Sequence, residues 1–321
     1  MAIVLDAMGG DFAPQATVEG AIKAAELGIK IHLVGPEERL SSLCGINPHI
    51  DIVNATDVVG MSDSPSGVIR RRKDSSIVVG VKLAKELGIP FVSAGNTGAC
   101  MAAALFTFGR LPGIKRPPIA SLFPQISGGE CVILDVGANV DCTAENLLNF
   151  AVMGSAYCQL ALGVAEPRVG LMSNGEERGK GNSLTLEAYN LLSKFVPNFV
   201  GNVEGFDVLS GKCDVIVCDG FVGNILLKTT EGIVKSFQSV IRKSITDFSS
   251  ISADLQQVLS NLTKYNPDNR EHSGAPLLGI DGTCFIVHGS ANSKTITGAI
   301  QGANKLGESG LVSKIRDAIE A

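Results

Sequence analysis

The sequence predicts an α/β fold built on an open, mostly parallel sheet, and three observations carry that reading. Short runs such as Val215, Ile216, Val217 and Cys218 are apolar without alternation, which suits strands covered on both faces. The stretch 213–228, CDVIVCDGFVGNILLK, stops its apolar run at Asp219 and passes through Gly220 and Gly223 into a helical pattern, with Asn224 placed to cap it. The same order of apolar run, Gly/Asn/Asp elbow and helix recurs at 3–11, 91–97, 132–139 and, more loosely, 169–182. In a parallel sheet such elbows share the carboxyl edge of the strands, so segments far apart in the chain can assemble one site.

Composition agrees. A chain of 321 residues with 45% hydrophobic content can bury a large core, as one α/β domain over 1–321 or two closely joined lobes. Trp is absent and the net charge is −5, which argues against base-stacking platforms and a nucleic-acid partner. The eight cysteines form no CxxC pair and no Cys/His cluster of zinc spacing, so they read as reduced, buried small hydrophobes of a cytoplasmic protein. Met1 leads straight into an apolar run with no basic segment before it, so no secretory signal is expected. No apolar stretch is long enough to span a bilayer.

In chain order, the first strand and its elbow DAMGGDFAP precede a helix capped by Thr17 and ended at Gly28. A strand at 31–34, a short helix at 37–43 and a third strand at 50–55 follow. A single helical stretch is expected over 68–87, opened by the basic run Arg70, Arg71, Arg72 and Lys73. Strand 90–93 and the elbow SAGNTGA run into another helix, and the Pro- and Gly-rich segment GRLPGIKRPP is a loop. Residues 119–123 and 131–134 can pair as an antiparallel hairpin on the sheet edge, and 146–162 reads as a long helix. Strand, elbow and helix repeat over 169–195. Past Lys228 the pattern changes to two amphipathic helices, an inserted helical hairpin over 229–266. Its apolar stripe is a candidate homodimer surface, and Ile245, Phe248 and Ile251 at its turn suit either core packing or a tip dipping into a membrane surface. A strand at 283–287, the elbow HGSAN and a helix over about the last 25 residues close the chain.

The elbows ask for an anion. In NGEERGKGNS, Lys180 stands between Gly179 and Gly181, near Asn174 and with Asn182 able to cap the next helix. A lysine beside bare amides at a helix N-terminus clamps a phosphate or oxyanion well. The spacing is not that of a Walker A loop and no GxGxxG occurs, so nucleotide binding has no motif behind it. Ser93, Asn96 and Thr97 offer neutral donors at a second helix start, and Asp135 with Asn139 and Asp6 with Gly9, Gly10 and Asp11 form acidic elbows. Paired carboxylates could hold Mg²⁺ or act as acid and base, or Asp6, Asp135 and Asp219 could each cap a helix or brace a turn. No catalytic Ser or Cys with a base partner is visible, and His288 is the histidine that falls in an elbow.

Read together, DAMGGDFAP, VSAGNTGA, GIKRPP, LDVGAN, LNFAVMG, GLMSNGEERGKGN, FVGNVEG, CDVIVCDGFVGNILLK, GAPLLGI and HGS, in this order over nearly the whole chain, resemble the phosphate acyltransferase family of bacterial phospholipid synthesis. The resemblance implies a three-layer α/β/α fold like isopropylmalate dehydrogenase and related to phosphotransacetylases. It also implies a homodimer and a cytoplasmic enzyme working at the membrane face. Its reaction makes acyl phosphate from acyl-acyl carrier protein and inorganic phosphate, with no cofactor and no metal. Ala291 departs from the family, which commonly has a second serine there.

On this reading phosphate sits among Asn96, Thr97, Lys180, Asn182 and the amides around Gly223 and Asn224, and Asp219 or His288 orients or deprotonates it. Arg70 to Lys73, Arg110, Lys115 and Arg116 are candidate docking residues for an acidic carrier protein. Two competing functions remain at this stage: a short-chain phosphotransacetylase-like enzyme using acyl-coenzyme A, and a non-catalytic dimeric scaffold at the membrane.

Overall fold

A computed structural model of the chain describes residues 1–244 and 274–320. Strands β1 (Ala2–Asp6), β2 (Lys30–Gly35), β3 (Ile50–Asn54) and β4 (Phe91–Ser93) lie in a six-stranded sheet with β10 (Ala275–Pro276) and β11 (Cys284–Ile286), in the order β10-β11-β4-β1-β2-β3. Strands β5 (Ala120–Pro124), β6 (Glu130–Leu134), β7 (Val169–Met172), β8 (Phe199–Val203) and β9 (Val215–Val217) form a five-stranded sheet, in the order β5-β6-β9-β7-β8. Pairing is parallel except between β10 and β11 and between β5 and β6.

The expected hairpin at 119–134 is present, but it lies at a seam: Ile119 bridges Leu277 antiparallel, joining the edge of one sheet to the edge of the other. Because the strands are covered on both faces, alternate residues feed two cores. Ile3, Leu5, Val132 and Leu134 pack toward α1 (Gln15–Glu26), α2 (Glu37–Cys44), α6 (Ala144–Ala161), α7 (Ser183–Phe195), α9 (Ser293–Glu308) and α10 (Leu311–Glu320). Val4, Phe91, Ile133 and Ile216 pack toward α4 (Ser76–Leu87) and α5 (Thr97–Phe108) on the opposite face. Each core runs beneath both sheets, which makes the arrangement three-layered and ties the two sheets together.

Four element boundaries differ from the sequence expectation, each for a tertiary reason. Helix α1 starts at Gln15, and Thr17 sits buried inside its first turn, its hydroxyl donating to the carbonyls of Ala7 (2.6 Å) and Pro14 (2.8 Å). The stretch 68–87 is two helices, α3 (Pro65–Arg71) and α4. The chain is diverted between them because the Arg72 guanidinium donates to the Val58 carbonyl (2.8 Å) and pairs with Asp57 (2.9 Å) and Asp63 (3.2 Å). The closing helix is broken at Gly310, whose φ of 74° is left-handed. Helix α8 (Gly220–Ser244) begins before Asn224, because the Asp219 carboxylate accepts from the Val222 amide (2.8 Å) and caps it.

Helix α8 carries the first arm of the expected hairpin as far as Ser244. The return arm and the turn with Ile245, Phe248 and Ile251 lie outside the described residues. Among the described residues no helix is long and apolar enough to cross a membrane.

Candidate functional site

At the carboxyl edge of the first sheet the elbows hold one another. Asp6 is fully buried and accepts from the Ser93 hydroxyl (2.7 Å) and the Met8 amide (3.0 Å). Burial pushes its carboxyl above the usual range, against the pull of those donors. A Cβ at Gly9 would lie 2.5 Å from the Gly95 amide nitrogen, so glycine is what lets the elbows after β1 and β4 touch. The Asp11 amide donates to the Gly289 carbonyl (2.7 Å), bringing in the elbow after β11. Asn96 caps α5 through the Ala99 amide (3.0 Å), and its side-chain amide donates to the carbonyls of Met61 (2.9 Å) and Asp63 (3.0 Å).

The second sheet repeats the device more tightly. Asp135 is 0% exposed and accepts from the amides of Ile119 (3.0 Å), Ala138 (3.0 Å) and Asn139 (2.6 Å) and from the Asn139 side chain (2.9 Å). Burial again raises its carboxyl, with these donors opposing. Asn139 also donates to the Pro117 carbonyl (2.9 Å). The first turn of α8 docks directly on this elbow: a Cβ at Gly223 would fall 1.9 Å from the Asp135 carbonyl oxygen.

Where the two edges meet there is a cavity of about 310 Å³. Thr97 and His288 line it from the first sheet, and Gly137, Asn224, Lys228 and Glu231 from the second, with Ile119, Leu122 and Val287 among its apolar walls. His288 is exposed, its Nδ1 lies 2.8 Å from the Ser290 hydroxyl, and it accepts from the Ser290 amide (3.2 Å). With Nδ1 accepting, the neutral ring carries its proton on Nε2 and presents a donor there.

The other sequence candidates are not among the residues that line this cavity. Asp6, Ser93, Asn96, Asp135 and Asn139 are buried and hold the elbows through the hydrogen bonds described above. Lys180, Asn174 and Asn182 occupy the elbow after β7, which pairs parallel with β9 and so ends at the same edge. Lys180 and Asn174 are exposed there, and Asn182 caps α7 through the Thr185 amide (2.9 Å). The Gly223 amide donates to the Asp219 carbonyl (3.0 Å) within the helix. Arg70, Arg71, Lys73, Arg110, Lys115 and Arg116 are exposed, whereas Arg72 is engaged as described.

The family described as fatty acid synthesis protein matches residues 1–314. A phosphate acyltransferase of Endomicrobium trichonymphae is 46% identical over 334 aligned positions, covering 99% of this chain and 98% of its own. One from Halothermothrix orenii is 46% identical with the same coverage. The chain belongs to the phosphate acyltransferase family. It is an acyltransferase. A solved phosphotransacetylase from Streptococcus pyogenes superposes with a TM-score of 0.62 over 100% of this chain and 94% of its own, at 16% identity, which shows a shared fold.

In this member of the phosphate acyltransferase family, sequence reasoning passed over Lys228 and Glu231. Their side chains are 2.8 Å apart, and Glu231 is only 8% exposed. Asn224, Lys228 and Glu231 fall at i, i+4 and i+7, one face of α8, so the signal was helical phase running on from an elbow already singled out. Ala291 is 4% exposed and belongs to the core on the α1 and α9 face, and its amide donates to the His288 carbonyl (3.0 Å). Among the described residues no three His, Cys, Asp or Glu side chains gather as metal ligands would.

Proposed function

We propose that this chain transfers a fatty acyl group from the thioester of an acyl carrier protein to inorganic phosphate, making acyl phosphate for phospholipid synthesis. The observation that carries the reading is the cavity at the meeting of the two sheet edges. There, among the described lining residues, Lys228 is the cation, paired with Glu231 at 2.8 Å and placed with the neutral donors Thr97, Asn224 and His288 and with apolar walls.

Phosphate is its own nucleophile and a thioester is already activated, so the protein has only to position and to stabilise charge. Hydrogen phosphate dianion, held by Thr97, Asn224 and Lys228, attacks the carbonyl carbon. The C–S bond breaks, and the proton of the attacking phosphate ends on the departing thiol. The products are acyl phosphate dianion and free thiol. His288, donating from Nε2, faces the developing oxyanion. Lys180 on the neighbouring elbow adds positive charge along the approach, and Asp219 orients the first turn of α8.

An acidic carrier protein would dock through the exposed cations Arg70, Arg71, Lys73, Lys115 and Arg116, since the chain is itself net acidic and only local basic residues can attract such a partner. Ile233, Phe237 and Val240 are 50%, 60% and 61% exposed on one stripe of α8, which favours a homodimer built on the hairpin. Ile245, Phe248 and Ile251 would then supply a peripheral contact with the membrane.

The test is to incubate purified protein with palmitoyl-carrier protein and labelled phosphate and to look for acyl phosphate. Lys180→Ala should raise the phosphate KM by less than Lys228→Met does, since Lys180 lies outside the cavity wall; wild-type kinetics would remove Lys180 from the approach. Efficient turnover of short acyl-coenzyme A with none from the carrier-protein thioester would favour the phosphotransacetylase-like alternative.

A further inference from the structure

A second, apolar slot lies on the far side of the seam from the reaction cavity, between α6 and α9. It measures about 30 Å³ and is lined by Leu122, Tyr157, Leu160, Phe285, Gly302 and Leu306. Leu122 is a wall of both spaces. Phe285 is the partition between them. A Cβ at Gly274, which lines the cavity, would lie 3.1 Å from Phe285 Cδ1, and a Cβ at Gly302, which lines the slot, would lie 3.5 Å from Phe285 Cε1.

From these contacts we infer that the slot receives the distal half of the donor's acyl chain, with Phe285 as the gate and Gly302 as the residue that keeps the passage open. The inference rests on the acyl transfer proposed above. Helix α9 supplies the track. Thr295 lines the reaction cavity and Gly302, Leu306 and Ser309 line the slot, at i, i+7, i+11 and i+14, so one face of a single helix joins the two. At ~1.5 Å rise per residue the track is about 21 Å long, the scale of an extended palmitoyl chain.

The slot as it stands is narrower than its occupant, so the Phe285 ring must turn aside. The ring is flanked by glycine on each side, at 274 and 302, where a side chain would press on it. At the outer end the Lys305 ammonium donates to the Ala161 carbonyl (3.3 Å), tying α9 to α6 and setting a far limit for chain length. The alternative use of such a gap, plain packing between helices, gives no reason for its shared wall with the cavity.

Two measurements on the full chain separate this inference from the reaction itself. Palmitate and hexanoate binding by calorimetry reads the slot, and acyl phosphate formation from palmitoyl- and hexanoyl-carrier protein reads the chemistry. Gly302→Leu should weaken palmitate relative to hexanoate at least about tenfold, by the discrimination that a few methylenes confer in an apolar pocket. Leu160→Trp, on the opposite wall, should do the same and carries the test if Gly302→Leu does not fold. Phe285→Ala should favour the longer chain in both measurements. Unchanged palmitate-to-hexanoate ratios in the folded variants, or no palmitate binding by the wild type, would overturn the slot whether or not acyl phosphate is made. Absence of acyl phosphate with palmitate binding intact and variant-sensitive would instead count against the reaction alone.

Discussion

Asp135 and Glu231 are two buried carboxylates close to the same cavity, and they differ in whom they serve. Asp135 is surrounded by amide donors from its own elbow and from Ile119, so it belongs to the frame that shapes the seam. Glu231 lines the cavity beside Lys228, to which it is bound at 2.8 Å and whose side chain is half exposed. The contrast teaches that burial and charge do not identify a working group. What does is the balance between partners within the fold and exposure to the space where the ligand goes.

The sharpest way to test the distinction is to remove each acid. Asp135→Ala strands several buried amides and should cost about 4 kcal/mol in urea unfolding, while Glu231→Gln should cost no more than about 1 kcal/mol because its partner is half exposed. Equal costs would erase the difference between frame and site. Next in size, Lys228→Met should lower kcat/KM for phosphate by roughly thirtyfold or more, about 2 kcal/mol, with little change in melting temperature. A loss confined to stability would return Lys228 to the frame.

The basic run offers a milder version. Arg71→Glu should weaken carrier-protein affinity about tenfold at low salt and less at high salt, without touching stability. Arg72→Ala should instead cost about 1 kcal/mol of stability, since it gives up the bonds to Val58, Asp57 and Asp63. Carrier affinity that responds to neither would assign both to other tasks.

The smallest effect concerns pH. Burial raises the Asp6 carboxyl above its ordinary 3.8, so the folded state favours the protonated form. Its stabilising contribution is full below 3.8 and fades as pH rises through the raised folded value. The stability of wild type minus that of Asp6→Asn should therefore decline with rising pH in that window and be flat above it. A difference rising with pH would mean that the Ser93 and Met8 donors outweigh desolvation.

Strands and elbows were legible because an apolar run ending in Gly, Asn or Asp is a local pattern. The junction within 68–87 was not, because the clamp of Arg72 on Asp57, Asp63 and Val58 joins residues apart in the chain, and helical periodicity carries no sign of it. The early start of α8 was readable in principle, since Asp219 is as good a cap as Asn224. Lys228 and Glu231 were not legible as cavity residues because they lie one and two turns into α8, and only the docking of that helix on the Asp135 elbow turns their face toward the cavity.

An α/β chain with phosphate-seeking elbows and no nucleophile of its own follows from local residue patterns, since strand runs, turn glycines and helix caps act over a few neighbours. Which elbow groups brace the sheet and which face the cavity, and that Phe285 stands between that cavity and a second space, depend on how two sheet edges meet at the Ile119–Leu277 bridge. That meeting is made by contacts between residues more than a hundred positions apart, which no local pattern encodes.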